Sequence, residues 1–166
     1  MSQGAGKDVY SNFGFFNAIQ NQSVGDALVT GESIDIQGYE AVTFIVNVGG
    51  TTGATATFAA TDHEFQIQHG LASAAGVSTW SVVPYGSQLI HSVVSQGQTL
   101  TSGVWQLVAS YTQASTVYAV GYKRDKDHRY VRIMVSASGA PSIFSALGAI
   151  AVCGFPNNWP INTPAQ

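Results

Sequence analysis

Hydrophobic and polar residues alternate along much of this chain with a period of two, the pattern of strands half-buried in a sheet. In "AVTFIVNVGG", Val42, Phe44, Val46 and Val48 fall on one face, and Thr43 and Asn47 on the other. "RYVRIMVSA" repeats the pattern, with Val131, Ile133 and Val135 inward and Tyr130, Arg132 and Met134 opposite. "ATATFAAT", "STWSVVP", "SQLIHSVV", "GVWQLVASY" and "STVYAVGY" are further β-rich runs bounded by Gly, Ser or polar residues. "GGTTG" (Gly49 to Gly53) reads as a turn between two of them. Two segments fit less well. "HGLASAAGV" (His69 to Val77) reads as a loop or a short helical turn. "PSIFSALGAIAVCG" sets Ile143, Leu147 and Ile150 at helical spacing, but its flanks and its Ile and Val content favour a strand. As a strand it has two apolar faces, so it should be central in its sheet or covered. With no long amphipathic helix, the series predicts an all-β fold, an antiparallel β-sandwich or jelly-roll-like domain.

A chain of 166 residues is long enough for one well-buried core and short for two. Residues 1–26 are rich in Gly, Asn, Gln and Ser and carry Tyr10, Phe13, Phe15 and Phe16 without a clear period. They read as an extended N-terminal arm whose aromatics need a surface, either their own domain or a neighbouring subunit. Deleting residues 1–24 is then expected to leave a folded domain with weaker association. Residues 27–156 form the sandwich, and 157–166 a C-terminal tail. Pro156 and Pro160 cannot donate ladder hydrogen bonds, so the last strand is expected to stop near Gly154. Phe155 and Trp159 would then need cover from an open end of the sandwich or from a neighbour.

Charge changes the picture most. Only 9% of residues are charged, against roughly 25% in ordinary soluble domains. The net charge of −3 argues against a polyanion binder. A surface of Ser, Thr, Gln, Ala and Gly loses little when another protein covers it, because few charges must be desolvated. That favours an assembly component over an enzyme. The N-terminus lacks the apolar core of a signal peptide. The longest apolar run, Ala146 to Phe155, is too short to span a bilayer. Cys153 has no partner for a disulfide and reads as a small core residue, consistent with synthesis in a reducing cytoplasm.

Candidate chemistry is sparse. "GYKRDKDHRYVRI" (residues 121–133) holds five of the six basic residues: Lys123, Arg124, Lys126, Arg129 and Arg132. It lies between two β-rich runs, so "KRDKDH" reads most simply as a solvated hairpin connection. An ionic contact with a protein partner is the second reading. Asp125 and Asp127 spoil it as a phosphate surface. "TDHEFQIQH" offers Asp62, His63, Glu64 and His69, but in a strand His63 points away from Asp62 and Glu64, and no zincin spacing is present. His91 and His128 are remote in sequence. No serine occupies a nucleophile elbow, and no P-loop is present. Trp80, Trp105 and Trp159 could form a sugar platform, although strand tryptophans more commonly pack inside. No catalytic residue, cofactor or metal ligand is expected.

"GYEAVTFIVNVGG", "YAVGYKRDKDHRYVRIMVSASG" and "AIAVCGFPNNWP" follow one another in order. Together they resemble small proteins that decorate or cement the heads of tailed bacteriophages. In that family a GYE/GFE-x-V-x-F strand opens the domain. A Y-x-x-G-Y-x-x-x-(K/R)-R-Y-V-R hairpin follows, and A-x-x-x-G-x-P closes it. The similarity covers residues 38–156. This chain departs from the pattern in its longer turn before Arg129, its long middle segments and its aromatic N-terminal arm. The resemblance implies a virion protein, made in the host cytoplasm, that binds major capsid protein on the outside of the assembled shell. It also implies a homo-oligomer, dimer or trimer, or contacts with neighbouring decoration subunits, and no nucleic-acid or membrane partner. Partner contacts would fall on Tyr10, Phe13, Phe15, Phe16, Phe155 and Trp159, with Lys123, Arg124 and Lys126 as an ionic supplement. A carbohydrate-binding or host-attachment module is the alternative.

Overall fold

The structure, a computed structural model, describes residues 13–24, 28–49, 51–52, 63–73, 76–84, 89–91, 99–101, 104–106, 116–137 and 143–156. These residues form strands and turns without a helix. In chain order the strands are β1 (Gly14–Val24), β2 (Val29–Thr30), β3 (Ile34–Asp35), β4 (Tyr39–Val48), β5 (Thr51–Thr52), β6 (His63–Ser73) and β7 (Gly76–Val82). They continue as β8 (Leu89–His91), β9 (Thr99–Thr101), β10 (Val104–Gln106), β11 (Thr116–Lys123), β12 (His128–Ala137) and β13 (Ile143–Pro156). The first sheet runs β1-β13-β4-β11-β8, with β5 also on β13. The second runs β2-β12-β6-β10-β9, with β3 on β12 and β7 on β6. The pairings are antiparallel. The all-β sandwich predicted from alternation is the fold observed.

The inward residues are those the alternation selects. Val42, Phe44, Val46 and Val48 of β4 are buried with Tyr118, Val120 and Tyr122 of β11. Phe65 and Ile67 of β6 and Val131, Ile133 and Val135 of β12 are buried from the other sheet. β13 contributes Leu147, Ala149, Ala151 and Cys153. The small residues of β13 sit beside the Tyr and Phe side chains of its neighbours, so large and small side chains can interdigitate. Cys153 is fully buried, and burial pushes its thiol up to about 12. It is the small core residue that its apolar setting suggests.

Several expectations change. Residues 14–24, assigned to the arm, form β1 at the edge of the first sheet against β13, with Ala18 and Ile19 buried in the core. Their irregular spacing of aromatics has a cause: the register slips between Asn17 and Val24, and bulges break a strict alternation. β13 does not stop at Gly154 but runs to Pro156, which pairs with Tyr39 at the start of β4. A proline at the very end of a strand forfeits little of the ladder. In "HGLASAAGV" the described residues on either side of 74–75 belong to strands rather than to a loop or helical turn, since β6 and β7 pair as far as Ser73 and Gly76. Gly76 has φ of +112°, a conformation that glycine adopts without a Cβ clash. Thr51 and Thr52, read as part of a turn, pair with Phe144 and Ile143. "KRDKDH" is not a hairpin connection. β11 belongs to the first sheet and β12 to the second, so this loop carries the chain from one sheet to the other.

Candidate functional site

The crossover between β11 and β12 builds a polar cluster at one end of the sandwich. β12 begins with a bulge: His128 lies opposite Leu71, whereas Tyr130 lies opposite Gly70. Tyr130 is on the outer face, and strict alternation would place His128 there too. The extra residue, Arg129, turns His128 to the inner side, beside His69 of β6. The two imidazoles stack with centroids 3.5 Å apart and planes 2° from parallel. His69 Nδ1 lies 3.2 Å from the Tyr122 hydroxyl, and the two rings meet edge to face. Burial, followed by the neighbouring His128, lowers the His69 pKa, while burial pushes the Tyr122 phenol up to about 12. Asp125 Oδ2 lies 3.0 Å from His128 Nδ1, yet that buried nitrogen makes no aligned hydrogen bond. Asp125 Oδ1 accepts from the Asp127 amide at 2.7 Å, which closes the turn.

The bulge residue itself points outward. Arg129 Nε donates to both carboxylate oxygens of Asp35, at 2.9 and 3.0 Å. Asp35 also accepts from the Gln37 amide. Burial alone would raise the Asp35 pKa, but the hydrogen bonds from Arg129 and Gln37 outweigh it and hold the carboxyl below its ordinary value. On the other side of the loop, Lys123, Arg124 and Lys126 line an open depression of about 490 Å³ with Tyr39, Glu40 and Asp125. The structure therefore brings these three basic residues together. Lys123 and Lys126 are exposed, whereas Arg124 is partly buried and donates from Nε to the His128 carbonyl.

The two outer faces of the sandwich differ sharply. On the second sheet, Arg132 donates to Gln68 Oε1 from Nε and Nη2 at 2.9 and 2.8 Å, and Gln68 donates to Gln66. The Arg132 guanidinium also lies 4.2 Å from the centroid of the Trp80 ring. Trp80 is thus an outer-face residue rather than a core one, and Arg132 covers ring surface that a sugar would need.

Among the described residues, the first sheet shows no such polar network across its centre. Register aligns Phe15, Val152, Thr43 and Gly121 in one row, and Asn17, Ile150, Ile45 and Ala119 in the next. Gly148, Asn47 and Val117 continue the face. None of these residues is charged. Phe15 is 52% exposed, Val117 58% and Ile150 46%. Phe13 lies at one margin over Gly154, where an added Cβ would sit 3.1 Å from its ring. Lys123 follows Gly121 on the same face at another margin. β13 is therefore central, as its two apolar faces require, yet Ile150 on its outer face stays about half-exposed.

Of the predicted contacts, Phe13 and Phe15 lie on this face. Phe16 instead points inward, packs against the core and meets Tyr39 edge to face. The backbone of Phe155 is in β13; its side chain, Tyr10 and Trp159 lie outside what is described, as do the side chains of His63, His91 and Trp105. Sequence reasoning missed Val117 and Ile150, whose exposure depends on what covers the sheet. It also missed the pairing of His69 with His128, for which only the β6–β12 register carries the signal.

No known family model matches the chain, and no curated protein matches it. Among solved structures, the crystal structure of the SPBc2 prophage-derived protein YomS is similar, at 9% identity and a TM-score of 0.37. The likeness covers 86% of this chain and 92% of that one.

Proposed function

We propose that this chain is a structural protein of a bacteriophage particle, which coats the outside of the assembled head by laying the outer face of its first sheet on major capsid protein. The observation that carries the reading is the uncharged face on which Phe15, Ile150 and Val117 stay about half-exposed among small and amide side chains. The three segments that resemble phage head-decoration proteins supply β4, β11 and β13, three of the strands that present this face, as well as β12, whereas Phe15 lies on β1. Covering each of the three half-exposed side chains would contribute roughly 1 kcal/mol. With few charges to desolvate, that gain is not cancelled at the interface. A protein that binds the assembled shell and not its free subunits stabilises the shell by linkage, and many copies on one lattice strengthen retention. Lys123, Arg124 and Lys126 at the margin add a salt-sensitive component to the contact.

The test is co-sedimentation of the purified chain with empty heads assembled from the major capsid protein of the genome that encodes it. The wild-type chain should sediment with the shells and raise their melting temperature. Phe15→Ser, Val117→Ser and Ile150→Ser combined should weaken binding by about tenfold or more while leaving the chain folded. Absence of wild-type binding, or full binding by the folded triple variant, would overturn the proposal.

A further inference from the structure

We propose that His69, Asp125 and His128 form a site for one divalent transition-metal ion of the zinc class. One ring nitrogen from each imidazole and a carboxylate oxygen of Asp125 lie within 4.8 Å of one another. Two imidazoles and a carboxylate suit zinc-class ions, with water or another ligand completing a four-coordinate shell. Two nitrogen donors make Mg²⁺ or Ca²⁺ a poor match, since both prefer oxygen.

Three features of the cluster are those of a ligand site rather than of a structural polar contact. His69 is 4% exposed on a central strand, and the Tyr122 hydroxyl at Nδ1 fixes its ring, the role an outer-shell partner plays at metal-bound histidines. His128 Nδ1 is buried without an aligned hydrogen bond, and such an atom is costly unless something satisfies it. Asp125 and His128 flank the two-residue turn of Lys126 and Asp127, so they can close on an ion without disturbing β6. Stacked face to face, the two rings cannot both aim a nitrogen lone pair at one ion. Coordination therefore requires the less buried His128 ring to turn while His69 stays in place. Arg124, held through Nε to the His128 carbonyl, opposes an incoming cation and weakens the site. A bound ion would tie the crossover between the sheets to β6, independently of any docking partner.

The experiment uses the full chain, stripped with chelator and titrated with Zn²⁺ and Co²⁺ by calorimetry, visible absorption and thermal melting. One ion per chain should bind, with a tetrahedral Co²⁺ spectrum and a raised melting temperature, while Mg²⁺ has no effect. His128→Gln should reduce Zn²⁺ affinity on the order of a hundredfold, and Asp125→Asn should reduce it less. Should His128→Gln fail to fold, Asp125→Asn and the Co²⁺ spectrum decide. Lack of saturable Zn²⁺ binding would overturn the assignment. So would undiminished binding in a folded His128→Gln or Asp125→Asn variant, which would place the metal elsewhere. Because no capsid is used, failure here is separable from failure of the docking proposal.

Discussion

Gly31 shows how tightly one residue can join the two layers. Its amide donates to Ile133 of the second sheet, and the next amide, of Glu32, donates to Ala18 of the first. A Cβ at Gly31 would lie 2.5 Å from the Ile133 carbonyl oxygen and 2.6 Å from that of Ala18. Both atoms are backbone, so neither can rotate away. Gly31→Ala should therefore lower stability by about 2 kcal/mol or more, measured by urea unfolding. Asp35 makes a different claim, on pH. Its folded pKa lies below the ordinary 3.8, so its contribution is present above that value and lost as pH falls through the depressed one. Its partial exposure keeps the effect small. Asp35→Asn should flatten the loss of stability below about pH 4 and leave the neutral-to-pH 5 slope unchanged; an unaltered acid limb in urea titrations would contradict this.

Among the elements, β1 and β13 carry the largest revision. Glycine-rich and polar residues around the first aromatics suggest an arm, yet Ala18 and Ile19 enter the core and Phe16 packs on it. An edge strand needs only one apolar face, and bulges blur even that alternation. Deleting residues 1–24 removes the strand that pairs with β13 along one side, leaving unpaired backbone and core exposed. The expected outcome is now a large drop in melting temperature or failure to fold, checked by circular dichroism. A cooperative melt near the wild-type temperature would restore the arm. The β12 bulge is equally consequential, because it sends Arg129 out to Asp35 and His128 inward to His69.

At the scale of the whole molecule, two isoleucines make the asymmetry testable. Ile133 is fully buried between the sheets, whereas Ile150 is 46% exposed on the outer face. Ile133→Asp strands an unpaired carboxylate in the core and should prevent folding or destabilise severely. Ile150→Ser should shift stability by less than about 1 kcal/mol while weakening attachment to shells. Equal loss of stability in thermal melts would show that Ile150 is structural. The opposite face, with Arg132 placed between Gln68 and Trp80, presents polar groups that already satisfy one another. On the proposed reading, the first face meets a protein surface and the second meets water.

Alternation alone determined the class of fold and the inward residues of β4 and β12, because a strand's period of two is a local property of the backbone. It also separated β13 from a helix through its Ile and Val content and flanks. What the sequence could not determine was partnership. "KRDKDH" between two β-rich runs looks like a hairpin whether the strands pair with each other or lie in different sheets, and only the ladder of non-local hydrogen bonds decides. For the same reason Ile150 and Ile133 read alike, since exposure is fixed by what packs above a face. His69 and His128 are remote along the chain; a neighbouring strand register and one inserted residue bring their rings to 3.5 Å. Local periodicity wrote the strands, and long-range pairing decided which of their faces met water, the core or each other.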